Sequence, residues 1–309
     1  MLPSLGAADL VAAVPGLADV AEVEASTLAT VPSAHLQPSD VLAFGRWAAG
    51  AVETSAGAVL VQGTDTIEET AYLLDLVWDR PEPLVVTGAM RPATAAGADG
   101  PANLLAAAVV AASPDARGRG VLVVLDDDVH AAARVRKRDS TALHAFASEP
   151  FGLVGRVLER RVHFVAPPSR HPSLPPPLDG AHPRVALLET HLGDRGELLR
   201  LVAGDGYDAV VVAGFGVGHL SAAMAEVVEE VATRMPVVLA SRTGRGPVLR
   251  STYGFPGSEQ DLIARGALPA GWLDARKARL LVWALLAAGA GPEELRATLE
   301  ERGATPGPS

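Results

Sequence analysis

Gly57-Ala58-Val59-Leu60-Val61-Gln62 runs into Gly63-Thr64-Asp65-Thr66 and then into Ile67-Glu68-Glu69-Thr70-Ala71-Tyr72-Leu73-Leu74. The first six residues are apolar at nearly every position, as expected of a strand covered on both faces. Thr66 followed three residues later by Glu69 fits a capping box, and Thr70 to Trp78 continues as a helix. A strand, a short polar turn and a helix form one βα unit. In open parallel sheets ligands gather at the carboxyl ends of strands, and the free N–H groups of a helix start attract anions. Residues 63–66 are therefore a candidate site; the plain alternative is a turn in which Thr66 only caps the helix.

The same pattern repeats outward. Leu84 to Thr87 reads as the next strand, Asp99-Gly100-Pro101 as a capped start to a helix over Ala102 to Ala112, and Val121 to Leu125 as a third strand. Upstream, Val20 to Ala25 alternates like a strand. Ser39 opens a helix that places Val41, Phe44, Trp47 and Ala51 on one face. Ala166-Pro167-Pro168 through Pro175-Pro176-Pro177 is too rich in proline for regular structure and reads as a stiff linker. Beyond it the alternation restarts, with strands at 185–188, 209–213 and 237–240 and helices at 196–203, 222–233, 275–288 and 292–301. The expected fold is α/β in two domains. A larger, Rossmann-like parallel-sheet domain occupies residues 1–165, a linker 166–182, and a smaller α/β domain 183–309.

Bulk composition agrees. A chain of 309 residues exceeds what one core usually serves, and 49% hydrophobic with 20% charged residues suits a globular protein. No apolar run is long and charge-free enough for a membrane span. The net charge of −10 opposes nucleic acid and anionic membranes. The one basic cluster, Arg134-Val135-Arg136-Lys137-Arg138, is short and lacks interleaved aromatics. Cysteine is absent, which excludes disulfides, thiolate metal sites and cysteine nucleophiles. Met1 to Gly6 has no basic region followed by an apolar core, so the expected location is the cytoplasm.

Lysine usage is the sharpest chemical clue. Lys137 and Lys277 are the only lysines among 26 basic residues, the rest being Arg. A lysine kept where arginine is the habit suggests a need for a cation that can release its proton. With its pKa lowered from about 10.4, such an amine serves as a general base. Thr64 as hydroxyl, Lys137 as base and Asp65 as orienting carboxylate would form a relay; the alternative is an exposed loop cation. Lys277, within Ala275-Arg276-Lys277-Ala278-Arg279, reads as part of a solvated helix face. Asp126-Asp127-Asp128 reads as an acidic loop after a strand, with no ligand pattern around it, and the eight histidines lack metal spacing. Gly214-Phe215-Gly216-Val217-Gly218-His219 imitates a dinucleotide loop without its third glycine, and close backbone packing accounts for its glycines.

Several segments together resemble the bacterial-type asparaginase/glutaminase family. Val61 to Ala71 is similar to its "HGTDTMEETA" motif, with Gln62 in place of His. Thr87-Gly88-Ala89-Met90-Arg91-Pro92 with Ala98-Asp99-Gly100-Pro101-Ala102-Asn103-Leu104 resembles the next block. Arg136 to Thr141, leading to Ala145-Phe146-Ala147-Ser148, matches the segment of the catalytic lysine. Leu273 to Arg279 resembles a C-terminal "NPQKAR" helix. The resemblance implies hydrolysis of the side-chain amide of L-asparagine, with L-glutamine as a side substrate, by a threonine nucleophile without metal or cofactor. It further implies that Asp65 binds the α-ammonium group, that Ser33 in Pro32-Ser33-Ala34-His35 binds the α-carboxylate, and that the backbone of Ala89 meets the scissile amide. Thr64 would bind substrate and join Asp65 and Lys137 in the relay. Such proteins are commonly homotetramers of intimate dimers, some with an acidic residue donated by a neighbour. The family's first strand, ending in a T-G-G-T-I motif that holds the primary nucleophile, has no counterpart here, because Met1 to Leu10 resembles the family just after it. One expectation is therefore a start internal to a longer frame. The alternative is a non-catalytic pseudoenzyme or amino-acid-binding subunit, whose sheet would carry unpaired ladder groups.

Overall fold

The computed structural model of the chain describes residues 6–167, 170–178 and 180–304. Two compact units divide between Ser173 and Leu174, inside the proline-rich stretch. On the first unit Arg119 Nη1 donates to the Ala166 carbonyl at 2.7 Å; on the second, the Leu178 amide donates to the Ala287 carbonyl at 2.8 Å.

In the first unit a short helix α1 (Ala7–Ala12) and a longer α2 (Pro38–Ala51) precede β1 (Ala58–Val61), α3 (Ile67–Val77), β2 (Leu84–Thr87), α4 (Gly100–Ala112) and β3 (Val121–Leu125). β1, β2 and β3 are parallel, with Ala58 opposite Leu84 and Leu84 opposite Val121. Every residue of β2 and β3 is buried, which is why both read as unbroken runs of Leu, Val and Thr. Ala106, Val109 and Val110 of α4 pack on Val85, Leu122 and Val124. Each such large side chain contributes about 1.5–3 kcal/mol by leaving water.

The rest of this sheet is antiparallel, which the sequence reading did not anticipate. β4 (Asp128–Ala131), β7 (Gly155–Leu158) and β8 (Arg161–Phe164) extend it in the order β1-β2-β3-β4-β7-β8. Between β4 and β7 lies a separate two-stranded ribbon, β5 (Arg136–Lys137) with β6 (Phe146–Ala147). The acidic stretch 126–128 is the turn of a hairpin, with Asp126 and Asp127 at φ 52° and 61°. Glu159 and Arg160 turn the next hairpin at φ 49° and 60°. Two-residue hairpins usually announce themselves by Asn-Gly or Asp-Gly, and these do not.

β1 stands at one edge of the sheet and borders a groove of about 860 Å³, lined by Leu28, Val31, Phe44, Trp47, Leu60 and Val61 among others. Two expectations fail here. Val20 to Ala25 lies in no strand; the Leu17 carbonyl takes the amides of Val20 and Ala21 in a turn. Helix α2 buries Val41, Leu42, Gly45 and Ala48, so its packed stripe is turned from the one read in the sequence. Phe44, Trp47 and Ala51 face the groove instead, Trp47 being 41% exposed.

The second unit holds β9 (Val185–Glu189), α5 (Glu197–Gly204), β10 (Ala209–Gly214), α6 (Ala222–Ala232), β11 (Val237–Ser241), α7 (Glu259–Ala264), β12 (Leu268–Pro269), α8 (Ala275–Ala287) and α9 (Pro292–Gly303). Its four strands are all parallel, ordered β12-β11-β10-β9. Val210, Val212 and Leu239 meet Met224, Val227 and Val231 of α6. Lys277 corrects the sequence reading: it is 2% exposed, not on a solvated face. Asp274 caps α8 by accepting from the amides of Arg276 and Lys277, and lies 3.8 Å from the Lys277 ammonium. The carboxylate at the helix start lets the first turn bury a cation.

Candidate active site

The site grows from the end of β1. The Gln62 amide donates to the Thr87 carbonyl at 3.0 Å, carrying the ladder one residue past the strand. Thr64, Asp65 and Thr66 then form a single 3-10 turn that leads into α3. Gly63 allows a close neighbour: a Cβ there would sit 2.9 Å from Ser33 Oγ. Ser33 is buried in its own 3-10 turn, Ser33–His35. Thr66 does not cap α3 as expected. Its hydroxyl donates to the Ser33 carbonyl at 3.2 Å and accepts from Gln62 Nε2 at 3.1 Å, tying the two turns together.

Lys137 arrives from β5, more than seventy residues on. Its Nζ lies 2.9 Å from Thr64 Oγ1 and 2.8 Å from Asp65 Oδ1. Thr64 is buried, the Lys137 side chain is 15% exposed, and the Asp65 side chain is 72% exposed. The ion pair is thus open to water on the carboxylate side, where screening limits its worth to about 1 kcal/mol or less. Its effect is geometric: it fixes the amine against one buried hydroxyl and leaves a carboxylate facing solvent. The arginines around Lys137 form no patch. Arg134 lies over the Phe151 ring at 4.1 Å, with burial pulling its pKa down, and Arg138 pairs with Glu149.

One strand over, Gly88 passes so close that a Cβ would meet the Gln62 carbonyl at 2.3 Å and Thr64 Cγ2 at 3.3 Å. Ala89, the next residue, follows this contact. Its turn is held by two residues that sequence reasoning missed. Asp99 accepts from the amides of Met90 and Arg91 at 2.8 and 2.9 Å, and from Asn103 Nδ2 at 3.0 Å. Asn103, buried, also donates to the Gly88 carbonyl at 2.9 Å and accepts from the Asp126 amide at 3.0 Å. Asp99 had read as a helix cap because Gly100-Pro101 follows it. Its side chain instead turns back to residues 90 and 91 and caps nothing.

Ser33, Thr64, Asp65 and Lys137 therefore converge at the carboxyl end of β1, with Ala89 on the adjoining loop. Family models match along the chain: "Asparaginase, N-terminal" over residues 1–170 and "Glutaminase/Asparaginase C-terminal domain" over 184–299. The chain belongs to the asparaginase family. It is 38% identical over 299 residues to a probable L-asparaginase of Deinococcus radiodurans, covering 92% of this chain and 87% of that one. It is 31% identical over 297 residues to L-asparaginase 2 of Escherichia coli K12, with 94% and 84% covered. A crystal structure of a probable cytoplasmic L-asparaginase from Campylobacter jejuni superposes with a TM-score of 0.85 at 30% identity, over 94% of this chain and 92% of that one. This asparaginase-family chain is accordingly an asparaginase-type amidohydrolase, and among its described residues no helix is long and apolar enough to cross a membrane.

A second polar cluster sits in the C-terminal unit of this asparaginase-family protein. Glu259, fully buried, accepts from the amides of Thr252 and Tyr253 at 2.7 Å each and lies 3.1 Å from His219 Nε2. Burial pushes its carboxyl up, but those two amides, its own amide and His219 outweigh this and hold the pKa below the usual range. The His219 ring meets Tyr253 and Phe255 edge-on at 4.9 Å. Close packing accounts for Gly214, where a Cβ would strike the His219 carbonyl at 2.8 Å, and for Gly218, where it would meet Val248 Cγ1 at 2.9 Å, but not for Gly216, which has open space beside it and a φ of 48°.

Proposed function

We propose that this chain hydrolyses the side-chain amide of L-asparagine to L-aspartate and ammonia through a Thr64-Asp65-Lys137 relay. The observation that carries the reading is the contact of Lys137 Nζ with both Thr64 Oγ1, at 2.9 Å, and Asp65 Oδ1, at 2.8 Å. Exposed Asp65 takes the substrate α-ammonium group, Ser33 the α-carboxylate, and the Ala89 backbone meets the amide. A substrate ammonium on Asp65 competes with Lys137 for the carboxylate, which leaves the amine directed at the Thr64 hydroxyl 2.9 Å away.

In this reading the attacking hydroxyl is that of the T-G-G-T-I threonine, which residues 1–309 do not contain; its proton leaves through Thr64 to the Lys137 amine. As the tetrahedral adduct collapses, the relay returns that proton to the amide nitrogen and ammonia departs. Water then opens the resulting ester by the same route, releasing aspartate and restoring the hydroxyl. Proton transfer of this kind is worth about 10²–10⁴-fold in rate. In this reading the reaction uses no metal or cofactor, and the working form is a cytoplasmic homotetramer or homodimer. Glutamine is a side substrate, because one methylene changes pocket affinity by only about 1–3 kcal/mol.

Ammonia release from asparagine by the protein carrying the T-G-G-T-I segment upstream, compared with its Lys137→Met variant, tests the proposal alongside calorimetry with aspartate. Turnover lost in Lys137→Met supports it. Aspartate binding with no turnover above that variant replaces it by the non-catalytic reading, and neither binding nor turnover removes both.

A further inference from the structure

The two halves of the relay come from distant segments, and one side chain joins them. Thr64 and Asp65 precede α3; Lys137 lies on β5, a strand of only two residues. Glu68, in the first turn of α3, is 5% exposed, and its Oε2 accepts the backbone amide of Lys137 at 3.0 Å. A carboxylate in a helix's first turn is favoured by the free N–H groups there. The bond reaches across 69 residues of sequence but ends four residues from Thr64. It acts on the main chain that carries the amine, not on the amine.

We propose that Glu68 is a positioning residue for the base: by holding the Lys137 amide it sets where the ammonium group falls relative to Thr64 and Asp65. The inference rests on Lys137 acting as base in the proposed function. The ribbon that carries it is short: β5 pairs with β6 at Arg136–Ala147 and Lys137–Phe146, and the Arg138 amide donates to the Ala145 carbonyl at 2.7 Å. Without the Glu68 bond, the main chain at Lys137 loses this tie to α3, and the amine is left to hold its two partners through a flexible side chain. A displacement of the amine by about 1 Å costs on the order of 10²-fold in rate. Glu68 touches neither substrate nor the reacting atoms in this scheme, so its loss lowers kcat and leaves KM nearly unchanged.

The test uses the chain's two lysines. Lys277 is buried, so an amine-acylating reagent read by mass spectrometry on the Lys137 peptide reports that one side chain, whether or not the protein turns over. Glu68→Ala is expected to raise the acylation rate of Lys137 at least tenfold as the amine leaves its two partners. Glu68→Gln keeps an oxygen for the amide and is expected to remain within about threefold of the parent in both labelling and kcat. In the Lys137→Met background Glu68→Ala should cost no further activity, because groups that act through one another are non-additive. Should Glu68→Ala not fold, Glu68→Asp withdraws the carboxylate by one methylene and carries the same comparison. Unchanged labelling in the shortened variant overturns the proposal, as does a rate penalty that persists in the Lys137→Met background. If Lys137→Met itself retains full activity, the relay fails, while the labelling still decides what Glu68 holds.

Discussion

Removing the Asp99 carboxylate tests whether the Gly88-Ala89-Met90 turn is held as described. Asp99→Ala deletes three hydrogen bonds to a charged acceptor, from the Met90 amide at 2.8 Å, the Arg91 amide at 2.9 Å and Asn103 Nδ2 at 3.0 Å. Bonds to charged groups contribute about 1.5–3 kcal/mol each. The Arg91 amide is exposed and water replaces its partner, so two bonds count. The expected loss is about 3 kcal/mol, a fall in Tm of roughly 6–12 °C for a folding unit of this size. Urea denaturation followed by tryptophan fluorescence measures the first and calorimetry the second. On the proposed mechanism the loosened Ala89 backbone also lowers kcat by about 10–100-fold, since misplacement is costly at a reacting amide. A loss below about 1 kcal/mol would refute the clamp, because it is less than one bond to a charged group contributes.

Three further outcomes are expected. Lys277→Ala leaves the cap carboxylate of Asp274 without its cation and opens a cavity in the first turn of α8; the expected destabilisation is about 3–5 kcal/mol by chemical denaturation. Glu259→Gln lowers stability at pH 7, and the difference from the parent shrinks as pH falls below about 4, because a depressed carboxyl pKa stabilises above its unfolded value and loses that effect on protonation. Acid titration followed by circular dichroism reads this, and a difference that grows in acid would show the reverse sign. Asp126→Asn with Asp127→Gly suits the positive φ of the β3–β4 turn and relieves Asp127, whose pKa is raised by burial and by its two acidic neighbours; a gain of about 0.5–1 kcal/mol in a thermal melt is expected.

Much of the parallel architecture was legible because burial on both faces writes itself as runs such as Val121 to Leu125. The antiparallel half was not. β5 and β6 are two residues each, too short for periodicity to register; Glu159-Arg160 carries no turn signal, and Asp126-Asp127 reads as a loop with no sign that the chain returns as a hairpin. Helix α2 was found but its face misjudged, because Phe44 and Trp47 line a groove rather than a core. For the site, Thr64, Asp65 and Lys137 stood out by position and by the rarity of lysine. Glu68, Asp99 and Asn103 did not, because each looks like an ordinary helix-start residue until the partner at Lys137 or Met90 is in place. At Lys277 the flanking arginines misled: the segment reads as a solvated helix face, and the burial depends on the Asp274 cap at the helix start.

The most direct measurement on the relay is the rate of ammonia release from asparagine by Lys137→Arg, which keeps the positive charge beside Asp65 but cannot surrender a proton at working pH. The expected result is a fall in kcat of at least about 10³-fold, within the range for a lost general base, with aspartate affinity within tenfold of the parent. Activity within tenfold of the parent would contradict proton transfer through Lys137 and leave it as a charge alone.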